Sequence, residues 1–206
     1  MAERQVHIAL VGNPNSGKTS LFNVLTGLNQ KVGNFPGVTV DKKTGTTHIS
    51  DKLKARIVDL PGTYSLYPRR EDEWVAYRVL MQQDPDIKPD MVVLVADASN
   101  LKRTLLFVSQ IIDIKIPVVL ALTMMDIAKQ KELVIDVSAL ERELGILVIP
   151  VNPRKGKGIP QLKKAIELDP NYENALYNLA VTYVKWGATI REDAEAKELK
   201  SDEYKA

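Results

Sequence analysis

The sequence predicts an α/β fold, a three-layer sandwich around a mostly parallel β-sheet, with a helical extension at its C-terminal end. Three observations predict it. Apolar runs of strand length alternate with amphipathic runs of helix length. Two of the apolar runs, "DMVVLVADA" and "IPVVLALTMMD", are continuous, as in strands buried on both faces. A glycine-containing turn, "VGNPNSGKTS", joins the first strand pattern to the first helix pattern.

Taken in order, "QVHIALVG" reads as a buried strand. "KTSLFNVLTGL" follows as a helix with Leu21, Phe22, Leu25 and Leu28 on one face. Residues 29–42 have no clean period and contain two glycines and a proline, so they read as a mobile loop. "GTTHIS" and "KARIVDL" read as antiparallel strands joined by a turn near Asp51. "PGTYSLYPRR" is a loop, and "EDEWVAYRVLMQQ" a helix with acidic residues in its first turn, where the helix dipole favours them. The strand "DMVVLVADA", the helix "LKRTLLFVSQIIDI" and the strand "IPVVLALTMMD" come next. "SALERELG" is a short helix stopped by glycine, "ILVIPVN" a last strand and "GIPQLKKAIELD" a last helix. The expected division is residues 1–168 as a nucleotide-binding domain and 169–206 as the helical extension.

Composition narrows the function classes. With 28 basic and 26 acidic residues the net charge is +2, which gives no electrostatic signature of a nucleic-acid partner. Cysteine is absent, which removes disulfides and thiol catalysis, and two histidines without cysteine argue against zinc. No apolar run approaches the roughly 20 residues that span a bilayer, so the chain is expected to be soluble.

The turn at residues 12–19 fits G-x-x-x-x-G-K-[ST]. Glycines let the backbone turn its N–H groups toward phosphates, and the helix N-terminus adds a favourable dipole. In this pattern Asn13, Pro14, Asn15, Ser16 and Gly17 form the cradle, with Ser20 just beyond it. Lys18 reaches the β and γ phosphates, and the Thr19 hydroxyl suits Mg²⁺. "DLPG", residues 59–62, ends a strand able to neighbour the first; Asp59 suits Mg²⁺ through a water, and the Gly62 N–H suits the γ phosphate. In "PGVT", residues 36–39, Thr39 is the candidate for completing Mg²⁺ coordination.

Together "GNPNSGKTSLFNVLTG", "VGNFPGVTVDKKTG", "IVDLPGTYSLYP", "VVLVADASNLKRTL", "PVVLALTMMDIAKQ" and "KGKGIPQLKKAI" resemble the P-loop GTPases, and most closely the cytoplasmic G domain of the FeoB ferrous iron transport family, over residues 3–168. The resemblance implies GTP and GDP as ligands and slow hydrolysis with Mg²⁺. It implies stimulation by K⁺, with Asn15 at the position that marks potassium-stimulated members. Lys18, Gly62 and Asn15 are then the catalytic candidates. It further implies two switch loops, and a transmembrane permease portion of a bacterial inner-membrane protein on whose cytoplasmic side this domain sits. Thr63 and Tyr64, after "DLPG", offer no glutamine amide to orient water, which fits a reaction assisted by an extra cation.

The chain departs from the family in the base pocket. The N-x-x-D tetrad is Thr123-Met124-Met125-Asp126. Asp126 can accept from guanine N1–H and the 2-amino group, but Thr123 has no amide to reach N7 or to tie the loops together. The second base loop falls on Val151-Asn152-Pro153, with Arg154 following, and Pro153 has no N–H to offer guanine O6. Beyond residue 168, "ALYNLAVTYVKWG" resembles one helix of a tetratricopeptide repeat, with Leu179, Ala180, Tyr183 and Gly187 at matching places. One such unit cannot build a solenoid. Two other readings stay open at this level: a non-catalytic binding module with a degenerate base pocket, and an ATPase of similar fold. Homo-oligomerisation stays open as well.

Overall fold

The computed structural model describes residues 4–27, 30–35 and 40–168. Leu28, Thr39 and the whole of 169–206, including the tetratricopeptide-like helix, lie outside the described residues. In chain order the elements are β1 (Arg4–Gly12), α1 (Lys18–Thr26), β2 (Gln30–Asn34), β3 (Asp41–Ser50), β4 (Leu53–Asp59) and α2 (Glu71–Leu80). They continue with β5 (Met91–Asp97), α3 (Leu101–Asp113), β6 (Val118–Thr123), α4 (Met125–Gln130), α5 (Val137–Leu144), β7 (Leu147–Pro150) and α6 (Ile159–Leu168). Among the described residues no helix is long and apolar enough to cross a membrane.

The strands form one sheet in the order β2-β3-β4-β1-β5-β6-β7. The β4-β1-β5-β6-β7 neighbours run parallel, and the β2–β3 and β3–β4 pairs run antiparallel. The chain leaves β1 for one side of the sheet and returns to the other at β5. The carboxyl end of β1 is therefore the point where such sheets open a ligand crevice.

Alternation along the strands makes the three layers. Val6, Ile8 and Leu10 of β1 face α1 and α6, where Leu21, Phe22, Leu25, Leu162 and Ile166 complete one core. Ala9 and Val11 face the other way, into a second core with Val75, Val79 and Leu80 of α2 and Phe107, Val108 and Ile111 of α3. Each large apolar side chain so buried contributes about 1.5–3 kcal/mol relative to exposure. In α2, Glu73 accepts from the backbone N–H groups of Arg69 and Arg70 at 2.8 and 3.3 Å, fixing the helix start.

Two expectations need correction. Residues 29–42 are not simply a loop: 30–34 form an edge strand, and β3 begins at Asp41 rather than at Gly45. Backbone hydrogen bonds pair this hairpin while Val32 stays exposed, so burial imposes no apolar alternation for sequence reasoning to detect. The second correction is at "TMMD", which the sequence pattern continues as strand. β6 stops at Thr123, Met124 turns into the left-handed region at φ 56°, and Met125 and Asp126 open α4.

Candidate nucleotide-binding site

The site is built where β1 and β4 end side by side. Their parallel register sets Leu10 opposite Asp59, so the loop after β1 and the "DLPG" turn after β4 emerge together. The Leu60 N–H donates to the Leu10 carbonyl at 3.1 Å, and the Thr63 N–H to the Gly12 carbonyl at 3.2 Å. Gly62 lies against the phosphate loop so closely that a Cβ there would sit 3.0 Å from the backbone nitrogen of Pro14.

The phosphate loop has the backbone its sequence requires. Asn15 and Gly17 both adopt positive φ, 64° and 84°. Gly17 is the residue immediately before α1, whose free N–H groups open onto the cradle. Asn13 and Ser16 are buried, and the Asn13 Oδ1 and Ser16 Oγ have no partner among the described residues. Thr19 and Ser20 are exposed on the first turn of α1, and Asn15 is exposed at the loop's tip. The Lys18 ammonium is buried and paired with the Asp59 carboxylate, also buried. The two groups expected to meet phosphate and Mg²⁺ therefore meet each other, and their charges cancel.

The base-side residues gather around the ends of β6 and β7. Asp126 Oδ1 accepts from the Ile127 N–H at 3.1 Å, and the Asn152 amide approaches Asp126 Oδ2 at 3.5 Å. Asn152 also caps the turn that follows it, its Oδ1 accepting from the Lys155 N–H at 3.2 Å. Pro153 is the first residue of that turn, and Arg154 beside it is exposed. The structure thus brings together Lys18, Asp59 and Gly62 at the phosphate end, and Asp126 and Asn152 at the base end.

Thr123 joins the two ends, which corrects the expectation that a threonine there cannot tie the loops. Its buried Oγ1 lies 2.7 Å from the Ser16 carbonyl oxygen, in the phosphate loop, and 2.9 Å from the Ala96 carbonyl oxygen, at the end of β5. A hydroxyl has one proton, so the two acceptors share it.

Sequence reasoning missed the contribution of α3. The Asn13 amide donates to Thr104 Oγ1 at 3.2 Å, and Gln110 Oε1 accepts from the Leu66 N–H at 2.9 Å. These partners are 91 and 44 residues apart, and no local motif announces them.

Relatives place this geometry. The family model described as Ferrous iron transport protein B matches residues 6–166, and a TPR repeat model matches 159–187. The Fe(2+) transporter FeoB of Leptospira biflexa is 45% identical over 169 residues, covering 82% of this chain and 24% of that protein. The Fe(2+) transporter FeoB of Legionella pneumophila is 46% identical over 160 residues, covering 78% of this chain and 21% of that protein. The chain thus spans about a quarter of the length of the curated relatives it matches. Among solved structures, the G domain of the T. maritima FeoB superposes with a TM-score of 0.73 at 41% identity, covering 80% of this chain and 98% of that one. The cytosolic domain of the same T. maritima protein, in a GDP form, gives 0.76 at 40% identity, covering 82% and 65%. With a matched model over most of its length and relatives at this identity, the chain belongs to the ferrous iron transport protein B family and corresponds to its G domain.

Proposed function

We propose that this chain is the cytoplasmic nucleotide switch of a bacterial ferrous iron transporter. It binds GTP with Mg²⁺, hydrolyses it slowly with help from K⁺, and passes its state through residues 29–42 and 60–72 to a transmembrane permease portion. On this reading the nucleotide-binding domain ends at residue 168. The observation that carries it is the buried meeting of Lys18 with Asp59 across the β1 and β4 ends, beside a cradle that contains unpartnered buried polar atoms. Groups so placed suit a charged ligand that enters between them.

The donor set fits the implied cations. Thr19 and Asp59 offer hard oxygen ligands of the kind Mg²⁺ takes, with Thr39 as a third, and Asn15 offers a neutral amide oxygen to K⁺. When bound, Mg²⁺ neutralises charge on the β and γ phosphates, and K⁺ adds positive charge beside the transferred phosphoryl group. Lys18 holds the phosphates, Gly62 presents its N–H to the γ phosphate, and Asn13, Pro14, Ser16, Gly17 and Ser20 shape the cradle. Asp126 selects guanine, Asn152 steadies that carboxylate, and Thr123, Pro153 and Arg154 line the base side.

A titration with fluorescent GDP, GTP and ATP in Mg²⁺ and K⁺ tests this reading. Saturable binding with preference for the guanine nucleotides is expected. Preference for ATP would overturn the choice of base, and absence of binding by the folded chain would leave a docking module instead.

A further inference from the structure

We propose that two side chains of α3, Arg103 and Gln110, are positioning residues for hydrolysis, holding the segment after "DLPG" in register with the phosphate loop. The proposal rests on the GTPase reading above.

Three contacts on one helix carry it. The Arg103 guanidinium lies 4.0 Å from the centroid of the Tyr64 ring. Gln110 Oε1 accepts from the Leu66 N–H at 2.9 Å and from the Ser65 hydroxyl at 3.3 Å. Arg103 and Gln110 are seven residues apart, about two helical turns, so they share a face of α3. From that same helix Thr104 Oγ1 accepts from the amide of Asn13 in the phosphate loop.

Apolar packing also anchors the segment at Leu66, which lies against the core, and Thr63 is buried. Tyr64 and Tyr67 are exposed, and Ser65 and Leu66 are only half-buried. Thr63 fixes its own neighbour, with its hydroxyl donating to the Ser65 carbonyl at 2.7 Å, and its N–H reaches the Gly12 carbonyl. Apart from such bonds within 63–67, α3 supplies the polar and cation–π contacts on residues 64–66. Gly62, whose N–H is aimed at the γ phosphate in the proposed function, is two residues from Tyr64. A register error there misplaces a transition-state donor without disturbing the cradle that binds the nucleotide. Arg103 and Gln110 also serve a site that lacks a glutamine after "DLPG": where no side chain orients water, backbone placement has to do so.

The test uses the full chain with Arg103→Ala, Arg103→Lys, Gln110→Ala and Gln110→Glu. Three quantities are measured: fluorescent GDP affinity, single-turnover GTP hydrolysis, and hydrogen exchange of the amides at residues 60–68. The alanine variants are expected to lose roughly tenfold in rate, as small misplacements at a reacting centre do, with GDP affinity held within about twofold. The Leu66 amide is expected to exchange faster in Gln110→Ala. Arg103→Lys keeps a cation near the ring and Gln110→Glu keeps an acceptor oxygen, so both are expected to recover most of the rate. Unchanged turnover in the alanine variants beside an active wild type overturns the positioning role alone. Equal losses of rate and GDP affinity also overturn it, in favour of a general structural role. A wild type that binds GTP without hydrolysing it sinks both this proposal and the GTPase reading.

Discussion

The hydroxyl of Thr123 sits 2.7 Å from the carbonyl oxygen of Ser16, tying the end of β6 to the middle of the phosphate loop. The same hydroxyl faces the Ala96 carbonyl at 2.9 Å, and its single proton serves both. Thr123→Val removes that proton at nearly constant volume and leaves two buried carbonyls short of a donor. A loss of about 1–3 kcal/mol in urea unfolding is expected, with weaker GDP binding. Thr123→Asn brings two N–H donors where the hydroxyl brought one. Calorimetric titration is expected to show GDP bound several-fold more tightly than by the wild type.

Asp59→Asn leaves the Lys18 ammonium buried without its counter-charge. The nucleotide-free protein is expected to lose about 3–5 kcal/mol of stability, because removing one partner of a buried pair costs far more than the pair contributes. The double variant Lys18→Met, Asp59→Leu is expected to recover most of that loss in the same urea titration. If the single and double variants unfold alike, the pair is not the source of the cost.

Gly62→Ala places a methyl group 3.0 Å from the Pro14 backbone nitrogen, closer than ordinary packing allows. The "DLPG" turn must back away from the phosphate loop. Turnover is expected to fall at least tenfold, while GDP affinity, set by the cradle and the base side, changes little. Single-turnover phosphate release beside a GDP titration separates the two.

Phosphate release is expected to run faster in KCl than in NaCl at matched ionic strength, and Asn15→Ala to erase the difference. Asn15 is exposed at the loop's tip, so the substitution removes an amide without opening the core, and Asn15→Gly, which tolerates the φ of 64°, is expected to behave alike. Equal rates in the two salts for the wild type would remove K⁺ from the mechanism.

Much of this was legible in the sequence because neighbours along the chain do the work. The loop from Gly12 to Thr19 carries its own conformational requirements. The alternation of Val6, Ile8 and Leu10 against Ala9 and Val11 sets which face each residue takes. The strand ending at Asp59 was legible as one able to neighbour the first, while its meeting with Lys18 comes from the parallel pairing of β1 with β4. What was hidden depends on distant backbone or on the absence of burial. Thr123 takes its meaning from carbonyls 107 and 27 residues away. Gln110 sits among apolar residues with nothing local to distinguish it from a solvated polar side chain. β2 buries too little to imprint a period, and α4 is preceded by Met124 in the left-handed region, where glycine or asparagine would have given a turn signal.

The cancellation of Lys18 by Asp59 has a thermodynamic consequence. A nucleotide that draws Lys18 onto its phosphates strips Asp59 of its counter-ion and leaves a carboxylate facing further negative charge. A divalent cation at that carboxylate removes the conflict. Metal and nucleotide are then linked ligands: each raises the affinity of the other, by the same factor in both directions. On the proposed function the charges of Lys18 and Asp59 cancel in the free protein, and the two ligands are expected to bind most readily as a set.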